Sequence, residues 1–416
     1  MTTATPDTGA TPALKPYLRL LTATQFAFNT GFYAVLPYLA AHLGDGLGMA
    51  GWLVGLVLGL RTFSQQGLFV VGGALTDRYG PRPVVLTGCV LRIAGFCWLA
   101  QAGSTATVIG AVLLIGFAAA LFSPAVESET ARAAVAHETA TGTPRAQVLA
   151  VFSAAGQAGA FLGPLLGSLL LLLGGDFRTA CLAGAVVFVG VLAGHAKLMP
   201  HRPHRPPTAR TGAALPREVF ANRPFLVLCL AYSSYLVSYN QLYLALPAEV
   251  ERATGSQSAL GGLFALSSLL VVVAQLPLTR WSARRLPPRT ALVTGLAAVA
   301  TGFAAVPLAP DGPAGLLPAA ALVVLLTLGQ MLLVPAARGL VPDLVDDHQL
   351  GLATGALSSV SGLAVLVGSA ATGTLLDTPG AVLWTVLATV PLTGAALALT
   401  LSGGRRTPEP VTAVTD

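Results

Sequence analysis

Two stripes of polar and aromatic side chains recur at helical spacing inside runs that are otherwise apolar. Gln25, Asn29 and Tyr33 stand four residues apart and share one face of a helix. Tyr232, Tyr235, Tyr239 and Tyr243 form a second stripe in the second half of the chain. Amides donate and accept hydrogen bonds, and tyrosines add flat apolar surface with a hydroxyl at the tip. Such groups can hold a small organic molecule by stacking and hydrogen bonding without reacting with it. Arg61 lies in a further apolar run with Gln65 one turn later, and Arg92 lies in the next run. A guanidinium stays charged inside protein. Arg61 can therefore neutralise an anionic group or hold helix carbonyls, and both readings stay open. Arg92 has no polar stripe beside it, which favours a structural role. Acidic residues are sparse and none falls in the middle of an apolar run. Glu127 and Glu129 follow Pro124 at the end of one run. A carboxylate withdrawn from water keeps its proton to higher pH, and Glu127 is the candidate proton carrier. Glu129, with Arg132 at i+3, reads as a surface pair.

These groups need elements to position them, and the composition says which. The chain has 416 residues, 54% hydrophobic and 10% charged, with mean hydropathy +0.74. Soluble domains carry about 25% charged residues, so this chain belongs to the class that crosses a membrane many times. Apolar segments fall at 18–40, 50–75, 83–102, 105–126, 147–173 and 177–198, then at 223–247, 257–279, 289–308, 314–337, 350–376 and 380–402. A helix needs about 20 residues to span a bilayer, and helix is required because lipid offers the backbone no other partner. The expected fold is all-α, with twelve transmembrane helices in two six-helix halves, 15–198 and 223–402. A Thr-, Pro- and Ala-rich stretch at 1–14 is expected to be disordered. The basic, Pro-rich linker 199–222 joins the halves, and 403–416 form a polar tail. Lys15 and Arg19 before the first segment would suit a signal peptide. That segment has a counterpart later in the chain, however, and belongs to the fold. Cys89, Cys97, Cys181 and Cys229 all fall in apolar runs, which argues against a disulfide framework or a metal site. No cofactor is expected.

Of the 23 Lys and Arg residues, two (Arg61 and Arg92) lie within spans and only Arg178 and Arg252 lie on the side opposite the termini. The positive-inside bias then places both termini and the linker in the cytoplasm of a cell whose plasma membrane holds the chain. The net charge of +6 follows from these loops and does not mark a nucleic-acid binder. The two halves repeat. Tyr33-Ala34-Val35-Leu36-Pro37 matches Tyr243-Leu244-Ala245-Leu246-Pro247 at an offset of 210, as do Gln65 and Gln275. The same offset lays Gln25, Asn29 and Tyr33 onto Tyr235, Tyr239 and Tyr243. Helices equivalent by this repeat therefore each carry a polar or aromatic face. These faces read either as two walls of a central cavity or as packing with local hydrogen bonds. Polar groups at mid-depth avoid lipid, and the pairing of the two stripes favours the cavity. An offset of 211 carries Pro124 onto Pro335 and Glu127 onto Arg338. Opposite charges at equivalent inner helix ends could form a latch, or each could be separately solvated.

Between the second and third segments lies Gly72-Gly73-Ala74-Leu75-Thr76-Asp77-Arg78-Tyr79-Gly80-Pro81-Arg82-Pro83, a charged, turn-forming insert that must lie in water. Its pattern Gly-x-x-x-Asp-Arg-x-Gly-x-Arg resembles the loop between the second and third helices of major facilitator superfamily transporters. Gly73, Asp77, Arg78, Gly80 and Arg82 carry the likeness. The family has a basic residue directly after the second glycine; here Pro81 stands there and Arg82 follows. The fifth segment holds Gly159-x-x-x-Gly163-Pro164-Leu165-Leu166-Gly167-Ser168, which resembles the antiporter motif of drug exporters in that superfamily, where Gly-Gly often closes the run. Gly156 precedes the run. Glycines four apart let helices approach closely, and Pro164 bends its helix. Gly51, Gly55 and Gly59 in the second segment read as packing alone.

The resemblance implies two pseudo-symmetric halves with the substrate path between them. It further implies an aspartate, here Asp77, docked near Gly351 to Gly355 at the start of the eleventh helix. The antiporter-like run favours export of drug-like or amphipathic small molecules driven by proton entry. The missing mid-span carboxylate keeps an importer or facilitator of a small metabolite open. A membrane enzyme is disfavoured, because no Walker A, His-Glu-x-x-His or Gly-x-Ser-x-Gly motif is present. The expected partners are a small-molecule substrate, the proton and the lipid bilayer, with no nucleic acid, and the chain is expected to act as a monomer.

Overall fold

The computed structural model describes residues 11–143, 145–173, 175–199, 216–308, 312–346, 349–376, 378 and 380–401. Most of the linker and the tail beyond 401 lie outside these residues. The first segment is two helices, α1 (Thr11–Tyr33) and α2 (Leu36–Ala41), and a π-helical turn His42–Gly46 follows. α1 starts at Thr11, ahead of the boundary expected at residue 15. It ends at Tyr33, because Pro37 has no N–H and its ring would clash with the Tyr33 carbonyl in a continuous helix. The second segment is α3 (Gly51–Gln66) and α4 (Phe69–Tyr79). Then come α5 (Pro81–Leu99), α6 (Thr105–Thr141), α7 (Arg145–Leu172) and α8 (Phe177–Leu198). A short α9 (Pro216–Ala221) precedes the second half. That half holds α10 (Arg223–Thr254), α11 (Leu260–Arg285), α12 (Pro288–Ala305), α13 (Leu316–Leu344), α14 (Leu350–Leu375) and α15 (Gly380–Leu399). Side-chain caps fix several starts. Ser104 and Thr107 form a capping box on α6, while Asp176 and Asn222 accept from Thr179 and Phe225 at 2.8 and 3.0 Å.

Among the described residues, ten helical stretches are long and apolar enough to cross a membrane. The two long helices below that level are α1 and α10, the carriers of the polar stripes. Their amides and hydroxyls lower the hydropathy, and what they face is protein and cavity rather than lipid alone.

The packing repeats with the sequence. In the first half α1 lies on α7, α5 on α6 and α8, and α3 on α6. In the second half α10 lies on α14, α12 on α13 and α15, and α11 on α13. The halves meet along α3 and α14, along α7 and α11, and where α2 touches α10. The start of α1 and the end of α15 define one face of the bundle, here the terminal face. The α4–α5 turn lies on it, where Arg82 donates to the carbonyls of Ala196 and Met199 at 2.7 and 2.8 Å and so closes the end of α8.

The seam between α3 and α14 is nearly bare of side chains on the α3 side. Gly51, Gly55 and Gly59 lie directly on Gly373, Ser369 and Leu366. A methyl on Gly55 would overlap the Ser369 carbonyl oxygen, and one on Gly59 would come within 2.8 Å of the Leu366 Cα. The stripe is thus packing, as its spacing suggests, but it is packing between the halves. Thr62 donates to Asn240 at 3.1 Å and Asn240 donates to Ser369 at 2.7 Å, which ties α3, α10 and α14 together in the same region.

Candidate functional site

A cavity of about 300 Å³ lies between the halves. α1 brings Gln25, Asn29 and Tyr33 to it, and α10 brings Tyr239 and Leu242. α7 contributes Phe152, Ser153, Gly156, Gln157 and Ala160. α11 contributes Phe264, Ser267, Ser268 and Val271, α13 Gln330, and α6 Glu127. Four of the nine cavity residues expected from the stripes, Arg61 and Gln65 therefore line it: Gln25, Asn29, Tyr33 and Tyr239. Apart from Gly156, the α7, α11 and α13 residues were not singled out in the sequence. A lone amide in an apolar run marks Gln330, and the pair Ser267-Ser268 interrupts another.

Tyr232, Tyr235 and Tyr243 are buried beside the cavity and do not line it. With Tyr239 they form a ladder along α10, with ring centroids 5.8, 5.9 and 5.9 Å apart. Tyr243 ends it by stacking on Phe264 at 5.3 Å, and its hydroxyl lies 3.2 Å from that of Tyr239. Arg61 and Gln65 also lie outside the lining. Arg61 donates to Gln65 at 2.5 Å, and its guanidinium sits 4.3 Å from the centroid of Phe32. Arg92 is 1% exposed. It donates to the Ile115 carbonyl at 3.0 Å, and the rings of Phe28, Phe32, Phe96 and Phe188 surround it at 4.8 to 5.4 Å. Cation–π attraction to four rings offsets part of its desolvation. Arg92 is thus a structural residue in the core of the first half.

Glu127 faces open space at the terminal end of the cavity. Arg338 on α13 is near enough for the two charges to interact, but they form no ion pair. Glu129 differs from the surface pair expected of it. It is 1% exposed and accepts from Tyr17 of α1 at 2.9 Å and from Arg132 at 2.8 Å, because α1 covers that side of α6. On the face opposite the termini the halves are joined. Ser168 lies 2.6 Å from the Tyr38 hydroxyl and donates at 3.5 Å to the carbonyl of Ser258, which precedes α11 in the other half. Tyr38 also donates to the Pro164 carbonyl at 2.8 Å.

The glycines of the antiporter-like run have a definite use. Gly159 and Gly163 bring α7 onto the α1 backbone at Phe26 and Thr30, Gly167 meets the Ala34 carbonyl just beyond α1, and Gly156 faces the side chains of Gln25 and Asn29. Space at Gly156 admits the amides of Gln25 and Asn29, so the run shapes one cavity wall. In the motif at the α4–α5 turn, Gly80 has φ 84°, a conformation that a side chain would strain. Gly72, next to Gly73, is the glycine that lets α4 approach α6, at Ala120, while Gly73 meets open space. Arg78 closes α4 with its guanidinium 5.4 Å from the Tyr79 ring centroid. Asp77 lies in the last turn of α4, which touches α14. The Asp77 side chain lies outside the described residues, as does the docking expected of it.

The arrangement offers binding without reaction: amides, hydroxyls and rings around a solute-sized space, with one carboxylate at its mouth. The comparisons agree. The family model described as Major Facilitator Superfamily matches residues 20–325 and 228–415. A relative named "Uncharacterized MFS-type transporter Rv0849" from Mycobacterium tuberculosis (strain ATCC 25618 / H37Rv) is 39% identical, over 86% of this chain and 85% of its own length. "Multidrug resistance protein MdtH" of Aeromonas hydrophila subsp. hydrophila is 32% identical, over 80% of this chain and 83% of its own. Among solved structures, the nucleoside transporter NupG superposes with TM-score 0.78 at 14% identity, covering 94% of this chain and 100% of its own. A POT family transporter in complex with 5-aminolevulinic acid also gives 0.78 at 14%, covering 93% and 96%.

Proposed function

The chain belongs to the major facilitator superfamily and is a multi-pass membrane transporter of small molecules, not an enzyme, and from that premise we propose that it exports drug-like or amphipathic molecules in exchange for protons. The observation that carries the proposal is the inter-half cavity, closed on the face opposite the termini and walled by the α1 amides and the α10 and α11 rings. The relatives named as multidrug resistance proteins favour export of amphipathic cargo. The termini and the linker lie in the cytoplasm of a cell whose plasma membrane holds the protein as a monomer, and the basic loops support that orientation.

In this reading cargo enters from the terminal face and rests between the α1 amides and the Tyr239 and Phe264 rings. Glu127 is the coupling group. As an anion it attracts Arg338 and favours closure of the terminal face; once protonated it releases that contact and the cavity opens to the cytoplasm. An ion pair in a partly wet site contributes about 1 kcal/mol, enough to move a balanced equilibrium about fivefold. The glycine-lined seam of α3 and α14 lets the halves rock around the site, and the motif at the α4–α5 turn gates that motion through Asp77.

The test uses purified protein in liposomes, with cationic, neutral and anionic fluorescent compounds followed with and without an imposed pH gradient. Wild-type protein should concentrate cargo only with the gradient. Glu127→Gln should abolish uphill accumulation and leave downhill exchange. Transport that ignores the gradient would make the protein a facilitator, and a coupled Glu127→Gln protein would move the proton site elsewhere.

A further inference from the structure

The seam between α1 and α7 has two sides. One is the wall of the central cavity. The other is an outward groove of about 590 Å³, lined by Leu18, Arg19, Thr22, Ala23 and Phe26 of α1 together with Thr143 and four α7 residues. Its two ends differ in chemistry. Arg19 is exposed at one end, and Lys15 stands one helical turn before it on the same face, also exposed. Among the described residues neither forms an ion pair, and no carboxylate lines the groove. Thr143 and Gln147 add hydrogen-bonding groups at this end. Gln147 is also where the membrane-spanning stretch of α7 begins. Beyond it the lining becomes apolar: Ala23 and Phe26 face Val148, Val151 and Ala155. Val151 is 58% exposed within the membrane-spanning stretch of α7. From Leu18 to Phe26 the groove runs about 12 Å along the helix, enough for the upper part of one acyl chain.

We propose that this groove binds an anionic phospholipid of the leaflet on the terminal side. Its phosphate sits at Lys15 and Arg19, and one acyl chain lies along Phe26, Val151 and Ala155. Charge complementarity selects the headgroup, since two unpaired cations stand at headgroup depth. The apolar floor selects a lipid over a free phosphate. The bound lipid backs the helix that presents Gln25, Asn29 and Tyr33 to the cavity.

Native mass spectrometry of the full-length protein, incubated in neutral detergent with phosphatidylglycerol, phosphatidylcholine or glycerol phosphate, tests the proposal without reference to transport. The wild type should retain one phosphatidylglycerol about tenfold better than phosphatidylcholine, and glycerol phosphate not at all. The Lys15→Gln and Arg19→Gln double variant should remove the preference. Val151→Trp, which fills the floor, should reduce retention of both lipids, and Arg178→Gln on the opposite face should change nothing. Equal retention of the two lipids by the wild type, binding of glycerol phosphate as strong as that of the lipid, or a preference that survives the double variant would each overturn it. The wild-type arms decide the matter even if a variant fails to fold.

Discussion

Placing one methyl group on Gly55 should force the two halves apart. A Cβ there would fall inside the Ser369 carbonyl oxygen, 2.9 Å from its carbon and 3.1 Å from the Gly373 Cα. Ordinary contact begins near 3.4 Å, so α14 must withdraw by more than an ångström to clear the Ser369 oxygen, and no flexible side chain lies between to absorb the strain. The shift also pulls on the Asn240 bond to Ser369. Overpacking of this kind costs about 2 kcal/mol, which is about thirtyfold in an equilibrium constant. If two arrangements of the halves are close in free energy, a closed population of about one half falls to a few per cent. Spin labels on α2 and the start of α11, both on the face opposite the termini, read the change by pulsed electron–electron distance measurement. Gly55→Ala should replace the short distance with a longer one and slow turnover. Gly190→Ala on α8, which meets open space away from the seam, is the control and should match wild type. A Gly55→Ala protein with wild-type distances and wild-type thermal stability would refute the reading of the seam as a backbone contact.

Further outcomes follow from the same geometry. Ser168→Ala removes a partner of Tyr38 and the cross-half bond to Ser258, worth about 1 kcal/mol, and should raise the accessibility to aqueous thiol reagents of a cysteine introduced by Leu260→Cys, where the side chain is buried; unchanged labelling would make Ser168 a bystander. Tyr239→Ala removes the α10 ring that lines the cavity and should raise KM about three- to tenfold with normal insertion, whereas Tyr235→Ala, outside the lining, should affect stability more than KM; the reverse order would displace the cavity. Asp45 and Glu251 share a second pocket of about 270 Å³ where α10 meets the π-helical turn. Burial, then the charge of Glu251, raises Asp45 above the ordinary carboxylate range, so closure of that face is fully supported at low pH and weakens as pH rises through the raised value. Asp45→Asn should hold the face closed at neutral pH and leave the acid end unchanged; a pH profile of label distances identical to wild type would count against it.

The helices were legible because lipid leaves the backbone one solution and writes it in runs of apolar residues. Even the failure of α1 and α10 to look like ordinary spans carried information, since their stripes are what the cavity uses. The stripes themselves were read only in part. Tyr232, Tyr235, Tyr239 and Tyr243 share a helical face, but neighbouring helices bury most of that face, with Phe264 of α11 over Tyr243, and of the four only Tyr239 reaches the cavity. Periodicity identifies a face and cannot say what lies across from it. The glycines show the same limit. Gly55 and Gly159 look alike in sequence, yet one faces the other half and the other faces α1. The cage around Arg92 draws its rings from α1, α5 and α8, which no local pattern could assemble. Glu129 looked exposed beside Arg132 because nothing in its neighbourhood announces that α1 will cover it.

The interruption between α1 and α2 sets the first span apart from its counterpart. Pro247 lies inside an unbroken α10, whereas Pro37 follows a break at Ala34 and Val35, where Val35 and Tyr38 bond back only three residues. A continuous rod can tilt only as a whole. A rod already broken has fewer four-residue helical bonds to lose at the break, so α2 can stay pressed against α10 while α1 turns with the cavity wall. The first span thus works as two levers sharing a joint, and the chain can change the width of its central space at one end of the bilayer without first letting go at the other.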